Sequence, residues 1–126
     1  MTIATKSKLP KLSTAQIEKI ILKALDTNKA EKIVSINLAG KTDIADTMIV
    51  ASGTSGRHVG ALADYVVTAL KQAGYESVPT EGRETGDWVL VDAGDVIVHV
   101  FKPDTRNHYN LEKMWATAIP DAEIAL

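Results

Sequence analysis

The sequence of 126 residues contains no cysteine, which excludes disulfides, thiolate nucleophiles and thiolate metal ligands. It also lacks a long apolar run and a signal peptide, so we predict a cytoplasmic protein that makes no membrane contact. A formal net charge of −2 leaves no excess of cations to neutralise phosphates, and we therefore expect little direct contact with nucleic acid. The length and the composition, 45% hydrophobic and 24% charged, are typical of one globular domain.

Residues that could carry out catalysis are equally sparse. No Ser-His-Asp spacing indicates an activated nucleophile. The histidines His58, His99 and His108 lie on different predicted elements, so a metal site built from them would need a coincidence of tertiary structure. The sequence also contains no Asp-x-Asp pattern that would place two acids on one face of a strand for a shared metal ion. We predict that the protein is not an enzyme and has no catalytic residues, no metal and no cofactor.

Hydrophobic periodicity and end signals predict the helices and strands. Ser13 and Gln16 have the spacing of a capping box at the start of the first helix. We expect helices at residues 13–28, 59–73 and 111–118, strands at 32–38, 47–51 and 75–79, a hairpin at 86–101, and a turn or short helix at 103–109. This order predicts a single α/β domain with a mixed β-sheet of about five strands flanked by helices. The domain is expected to span residues 12–118, between a flexible N-terminal tail at 1–11 and a C-terminal tail at 119–126.

The first predicted strand alternates in polarity. Val34, Ile36 and Leu38 should point inward, and Ser35 and Asn37 should point outward. This pattern is typical of a half-buried strand with only one face against the core.

A glycine-rich connection, Gly53–Gly60, joins a predicted strand to the following helix with the sequence GTSGRHVG. Such a turn can offer free N–H groups to an anion, with Arg57 as an additional contact. It lacks the Gly-Lys-Ser/Thr ending of a P-loop and the spacing of a dinucleotide fingerprint. We therefore favour the simpler interpretation, in which Ser55 caps the helix and the glycines form the turn.

In an alternative function, this turn is a phosphate-binding site. In a magnesium-dependent nucleotidyltransferase-like enzyme, Gly53–Ser55 would bind the phosphates and Asp43 or Asp46 would bind the metal ion. The missing Asp-x-Asp pattern argues against this alternative. Saturable binding of a nucleotide triphosphate with magnesium would support it.

The stretch Gly86–Phe101, GDWVLVDAGDVIVHVF, predicts two strands joined by a glycine-containing turn at Asp92–Asp95. A turn centred between residues 93 and 94 gives the cross-strand pairs Val91–Val96, Val89–Val98 and Trp88–His99. A three-residue turn with a bulge would instead slip the register by one residue and exchange the two faces.

Alternation gives this hairpin two different faces. The purely aliphatic face, suited to a core, consists of Val89, Val91, Val96, Val98 and Val100. The other face carries Trp88, Leu90, Ile97 and His99, with Asp92 and Asp95 at its rim. Tryptophan is common both in cores and at the centres of interfaces, so two interpretations stay open. Either a second layer of this chain covers the second face, or a partner does.

The region around the hairpin is acidic. Between residues 76 and 95 the only base is Arg83, and the acids are Glu76, Glu81, Glu84, Asp87, Asp92 and Asp95. A basic partner surface would complement this charge, and the simpler alternative is a solvated rim.

Three blocks of the sequence carry a family likeness. They are KTDIADTMIVASGTSGRHVGALAD (Lys41–Asp64), EGRETGDWVLVDAGDVIVHVF (Glu81–Phe101) and YNLEKMW (Tyr109–Trp115). In this order and spacing they closely resemble the ribosomal silencing factor family, also called the Iojap family. The likeness runs from about Leu12 to Trp115, which is most of the chain.

The resemblance implies a nucleotidyltransferase-like fold in a family that is not known for catalysis. It implies a factor that binds the large ribosomal subunit through ribosomal protein uL14 and sterically blocks association with the small subunit. Translation would thereby be repressed under nutrient limitation. Dimers are also a theme of the family, so a homodimer is an open alternative.

Carried over by position, the family's Gly-Asp-Trp segment falls on Gly86, Asp87 and Trp88, and its acidic turn falls on Asp92 and Asp95. The sheet surface that carries the tryptophan is the implied uL14 contact. Together with the face assignment, this predicts a partner-binding site of Trp88, Asp87, Leu90, Ile97, His99, Asp95 and Glu81, with Arg57 as a further anion or rim contact.

Overall fold

The structure is a computed structural model that describes residues 12–40 and 45–109. The helices are α1 (Thr14–Thr27), α2 (Gly56–Gln72) and α3 (Pro103–Tyr109). The strands are β1 (Glu31–Asn37), β2 (Thr47–Ser52), β3 (Thr80–Glu81), β4 (Trp88–Asp92) and β5 (Val96–Phe101). The α/β class is confirmed, and the bounds of α1, β1 and β2 lie within one residue of those expected.

Both long helices begin at a serine that caps the backbone. At α1, Ser13 Oγ accepts a hydrogen bond from the backbone N–H of Gln16 (3.1 Å), and the Gln16 side chain accepts one from the N–H of Ser13 (2.9 Å). At α2, Ser55 Oγ accepts from the N–H of His58 at 3.1 Å. Each cap satisfies a donor that the first helical turn leaves without a partner. The predicted capping roles of Ser13 and Ser55 are confirmed.

The five strands form one mixed sheet in the order β1-β2-β5-β4-β3. Strands β2 and β5 run parallel at its centre, and the outer strands add to them in antiparallel pairs. The carbonyl oxygen of Asp95 accepts hydrogen bonds from the N–H groups of Asp46 (2.8 Å) and Thr47 (3.1 Å). These bonds join the β4–β5 turn to the start of β2, so the hairpin is fixed within the sheet.

One face of the sheet lies beneath α1 and α2. The aliphatic residues of the hairpin are fully buried there, as predicted: Val89, Val91, Val96, Val98 and Val100. Ile21 and Leu25 of α1 and Val66 and Leu70 of α2 belong to the same cluster. Burying a valine or leucine side chain contributes about 1.5–3 kcal/mol, so this layer is the main source of stability.

The opposite face divides into two halves. On the side of β1 and β2 it forms a second buried cluster, which consists of Val34, Ile36, Leu38, Met48, Val50 and Phe101. On the side of β4 and β5, the side chains of Trp88, Leu90, Ile97 and His99 are only half-buried. The four residues that the sequence placed on the second hairpin face thus stay partly open to solvent, beside a buried half of the same sheet face.

The predicted hairpin register is wrong by two residues. Trp88 pairs with Phe101 rather than with His99, and Asp92 pairs with Ile97. The turn lies one residue later than expected, since the N–H of Ala93 donates to the carbonyl oxygen of Val96 (2.9 Å). Within it, the Asp92 carboxylate accepts a hydrogen bond from the N–H of Gly94 (2.8 Å), whose φ is +87°. Since side chains repeat every two residues along a strand, an even shift leaves both predicted faces unchanged.

The edge strand also lies later than predicted. It comprises only Thr80 and Glu81, and residues 75–79 form no strand. Tyr75 is instead buried, with its hydroxyl donating to the carbonyl oxygen of Ala93 at 2.8 Å. A requirement to satisfy a buried phenol thus determines the path of this segment.

The outward orientation predicted for Ser35 is wrong. Its side chain is only 8% exposed and donates a hydrogen bond to the carboxylate of Glu18 on α1. Alternation predicts correctly that Ser35 lies on the face opposite Val34, but α1 covers that face as well. The polarity of the sequence alone does not indicate which strand faces a helix covers.

Several predictions fall outside the described residues. They concern the two tails, the helix at 111–118, the side chain of His108 and the metal role of Asp43. Across residues 12–40 and 45–109, every helix is too short or too polar to cross a membrane.

Candidate partner-binding site

A partly exposed patch lies on the β4–β5 half of the sheet face that the long helices leave uncovered. We name it the tryptophan patch and define it as Trp88, Leu90, Ile97 and His99. Because Leu90 pairs with His99 and Asp92 with Ile97, the four side chains are neighbours across two adjacent strands. The structure therefore brings together the apolar and aromatic residues that the sequence predicted to share a face.

Among the described residues, the indole of Trp88 contacts two aromatic side chains, Phe101 and His99. Its ring centroid lies 4.8 Å from that of Phe101, and its Nε1–H donates a hydrogen bond to Nδ1 of His99 at 3.0 Å. The rings of His99 and Phe101 are in turn nearly parallel, with an interplanar angle of 11° and centroids 6.0 Å apart. Such pairs contribute beyond simple area burial, so the indole is presented in a defined orientation.

The imidazole of His99 is neutral at physiological pH. Burial lowers its pKa from the ordinary 6.5 to about 4, because the charged form loses its solvation there. Since Nδ1 accepts the indole N–H, the neutral ring carries its proton on Nε2. The patch thus presents aromatic and aliphatic surface without a positive charge from His99.

The predicted acids do not all sit equally around the patch. Glu81 pairs with Leu90 across β3 and β4, so its side chain lies on the face of the tryptophan patch and is exposed. Asp95 is exposed in the turn that precedes β5. Asp87 lies before β4, and its carboxylate is 3.5 Å from the ammonium of Lys102. Part of the charge of Asp87 is therefore compensated within the chain.

The approach to β4 depends on two glycines with positive φ. Gly82 has a φ of +84°, and a Cβ atom there would overlap the carbonyl oxygen of Trp88. Gly86 has a φ of +73°, and a Cβ atom there would lie 3.1 Å from the carbonyl oxygen of Gly56 at the start of α2. Both positions require glycine, and together they fix where Trp88 enters the sheet.

The glycine-rich turn before α2 is occupied by internal hydrogen bonds. His58 Nδ1 accepts from the N–H of Thr54 at 2.9 Å, and its Nε2 lies 3.0 Å from the carbonyl oxygen of Asn28 at the end of α1. Together with the Ser55 cap, these bonds tie the two helices to one another. Arg57 is exposed in the first turn of α2, which packs on the sheet face opposite the tryptophan patch.

Of the residues proposed for the nucleotidyltransferase alternative, Asp46 does not lie near the glycine-rich turn, and Asp43 lies outside the described residues. Asp46 directly precedes β2 and Gly53 directly follows it, so the two lie roughly 20 Å apart at opposite ends of the strand. Among residues 12–40 and 45–109, no group of three or more His, Asp or Glu side chains could hold a metal ion.

Two residues of the site were missed by the sequence analysis. Phe101 packs directly on Trp88, and Lys102 pairs with Asp87. Alternation from Ile97 through His99 would have placed Phe101 on the patch face. The incorrect register, however, paired Phe101 with Gly86, which has no side chain to contact.

The fold and the site define a class: a small mixed-sheet α/β domain with a partly exposed, tryptophan-centred sheet face. The family model described as "Ribosomal silencing factor during starvation" matches residues 11–125 of the chain. The chain belongs to this ribosomal silencing factor family.

Individual relatives agree with this assignment. Ribosomal silencing factor RsfS of Haemophilus influenzae is 45% identical over 96 residues, which cover 76% of this chain and 94% of that protein. A crystal structure of a Chromobacterium violaceum protein is similar with a TM-score of 0.80 and 42% identity, covering 83% of this chain and 88% of that one. The mouse protein "Mitochondrial assembly of ribosomal large subunit protein 1" is 32% identical over 109 residues, 84% of this chain and 48% of that protein.

Proposed function

We propose that this protein is a non-catalytic ribosomal silencing factor. It binds the large ribosomal subunit through ribosomal protein uL14 and sterically blocks association with the small subunit. By keeping the subunits apart it represses translation under nutrient limitation. Membership of the ribosomal silencing factor family supports this proposal, and so does the mouse relative, whose name refers to the large ribosomal subunit.

The observation that carries the proposal is the partly exposed tryptophan patch. A tryptophan fixed by Phe101 and His99 loses little conformational freedom when a partner covers it, which is typical of an interface anchor. Leu90 and Ile97 supply the apolar surround that would exclude water from the centre of the contact.

The charges around the patch favour a basic partner surface. Glu81 is exposed on the face of the patch and Asp95 is exposed in the hairpin turn, and neither has an ion-pair partner among the described residues. Asp87 would contribute less, because Lys102 already lies beside it. Acids at the rim of an interface act mainly on the rate of association, and salt screens their effect.

Co-sedimentation with purified large subunits tests the site. Trp88→Ala should fold but bind more weakly by about 2 kcal/mol or more, which is roughly thirtyfold in affinity. Tyr65→Ala is the matched control, since Tyr65 is an aromatic residue with 50% exposure on α2, on the other side of the sheet. Wild-type affinity in Trp88→Ala, or an equal loss in Tyr65→Ala, would contradict the proposed site.

Order-of-addition experiments test the mechanism. Large subunits incubated with the protein before small subunits are added should give fewer joined ribosomes in a sucrose gradient than untreated subunits. Trp88→Ala should restore joining to the untreated level. If the protein binds large subunits while joining proceeds normally, steric blocking is wrong even though binding is right.

A further inference from the structure

A polar cleft lies between the first turns of α1 and the adjoining ends of β1 and β2. It has a volume of about 310 Å³ and is lined mainly by Thr14, Glu18, Ser35, Asn37, Asp46 and Thr47. It opens on the helix-covered face of the sheet, opposite the tryptophan patch. This volume is at the lower end of the range for small-molecule sites and would hold one small ligand.

The cleft interrupts an otherwise aliphatic helix–sheet interface. Elsewhere on this face the sheet presents residues such as Ile49, Val98 and Val91 to the helices. At the cleft it presents Ser35 and Thr47, which are only 8% and 5% exposed. Valine has nearly the shape of threonine and would fill position 47 without a polar atom, so packing alone does not require a hydroxyl there.

The hydroxyl of Thr47 is a buried polar group at the lining of the cleft. Within residues 12–40 and 45–109, no hydrogen bond joins its Oγ1 to another residue. Leaving a buried hydroxyl unsatisfied costs about 1–3 kcal/mol, so such groups in folded proteins are usually bonded to water or to a ligand. Thr47 therefore indicates that something polar occupies the cleft.

The sign of the charge in the cleft is negative. The Asp46 carboxylate accepts a hydrogen bond from Thr14 Oγ1 at 3.2 Å, and the Glu18 carboxylate accepts one from Ser35. Each bond engages one oxygen of its carboxylate and leaves the other available as an acceptor. Among the described residues that line the cleft there is no lysine or arginine.

Both acids are fixed in place rather than mobile. The backbone of Asp46 donates to the carbonyl oxygen of Asp95 on one side (2.8 Å) and accepts from the N–H of Leu38 on the other (2.7 Å). Glu18 is tied to β1 through Ser35. Fixed acceptors lose little entropy on binding, which is the property of a preformed site.

We propose that this cleft binds a small organic cation carrying primary ammonium groups. The ammonium would be held between the free carboxylate oxygens of Glu18 and Asp46 and would donate to Thr47 Oγ1. An ammonium supplies several donors and one positive charge, which matches a site made of acceptors. A divalent metal fits less well, because the two carboxylates are already hydrogen-bonded to hydroxyls and no third acid completes a metal site in the described part of the chain.

Calorimetric titration of the full chain with putrescine, at low ionic strength where charge interactions are least screened, tests the proposal. Saturable binding with one site per chain is expected, and 1,4-butanediol, which has the same length without the charges, should not bind. In amide NMR spectra the shifts should concentrate at Thr14, Glu18, Ser35 and Thr47. Putrescine that gives no saturable binding, or shifts that concentrate at the acidic hairpin instead, would overturn the proposal.

Matched variants distinguish specific binding of putrescine in the cleft from its nonspecific electrostatic attraction to an acidic protein. Asp46→Asn and Glu18→Gln each keep the acceptor used by the neighbouring hydroxyl and remove one charge, and each should weaken putrescine about tenfold or more. Asp26→Asn makes the same charge change on an exposed acid at the far end of α1, and it should leave putrescine binding unchanged. Equal weakening in all three variants, or saturable binding of magnesium chloride in place of putrescine, would contradict the proposed site and ligand class.

Discussion

The indole N–H of Trp88 donates its hydrogen bond to Nδ1 of His99, a residue diagonal to it across β4 and β5. The bond links the partly exposed centre of the tryptophan patch to a titratable side chain. Because only the neutral imidazole has a lone pair on Nδ1, protonation of His99 removes the acceptor for the indole. The protonation state of His99 therefore controls the orientation of Trp88, and this coupling leads to the first two predictions.

The free energy of unfolding should fall when the pH drops from 6.5 toward 4. The pKa of His99 is about 4 in the folded protein and 6.5 in the unfolded chain, so in this window the unfolded state binds more protons. The contribution of His99 is fully present above pH 6.5, and about 2–3 kcal/mol of it is lost by pH 4.5. Urea unfolding at pH 7, 5.5 and 4.5 measures the loss.

The control for that experiment is His99→Asn, whose amide oxygen can replace Nδ1 as acceptor without titrating. Carboxylates also titrate near pH 4.5, so the informative quantity is the difference between the two proteins. An identical pH dependence in both would show that His99 is not the group responsible.

Trp88→Phe should raise the pKa of His99 from about 4 toward its ordinary value. The phenyl ring can still pack on Phe101, but it has no N–H to stabilise the neutral imidazole. Burial, the main cause of the low pKa, remains, so the rise should be partial. NMR titration of the imidazole protons measures it, and an unchanged pKa would mean that the hydrogen bond does not favour the neutral form.

Gly82→Ala should destabilise the protein far more than Gly94→Ala. Both glycines have a φ near +85°, so both substitutions incur backbone strain of about 1–2 kcal/mol. A Cβ at Gly94 meets no atom within 4 Å, whereas a Cβ at Gly82 overlaps the carbonyl oxygen of Trp88. Chemical denaturation measures the free energy of unfolding of the two variants, and the difference between them isolates the cost of the steric overlap. Equal losses of unfolding free energy would mean that the β3–β4 connection shifts at little cost to relieve the overlap.

Tyr75→Phe should cost about 1–2 kcal/mol of unfolding free energy. The substitution removes the hydroxyl that donates to the Ala93 carbonyl oxygen and leaves a buried acceptor without its donor. Tyr65→Phe is the matched control, because Tyr65 is half-exposed and should lose less than about 0.5 kcal/mol. Urea denaturation compares the two, and a loss in Tyr75→Phe no larger than that in Tyr65→Phe would contradict the role of the hydroxyl.

Local signals in the sequence were sufficient to predict the two long helices, α1 and α2, and the two hairpin faces. The capping box at Ser13 and the cap at Ser55 depend on residues within one helical turn, and the valines of β4 and β5 depend only on alternation. Trp88, Leu90, Ile97 and His99 share a face for the same reason. Features that depend only on residues a few positions away can be predicted from the sequence without knowledge of the tertiary structure.

Features that depend on distant partners were not predictable in the same way. The position of β3 follows from Tyr75 reaching Ala93, 18 residues away. Ser35 is buried because Glu18 on another element reaches it. Each of these outcomes was decided by a contact between elements, which periodicity does not report.

The central strand β5 alternates between two roles, with the valines beneath the helices and Ile97, His99 and Phe101 on the other side. Insertions or deletions in the hairpin are therefore constrained by parity. Removing two residues from β4 would change its length but leave valines against the helices, whereas removing one would turn valines outward and Trp88 inward. Length changes within these strands should be tolerated in even numbers only, while odd changes should be confined to the turn.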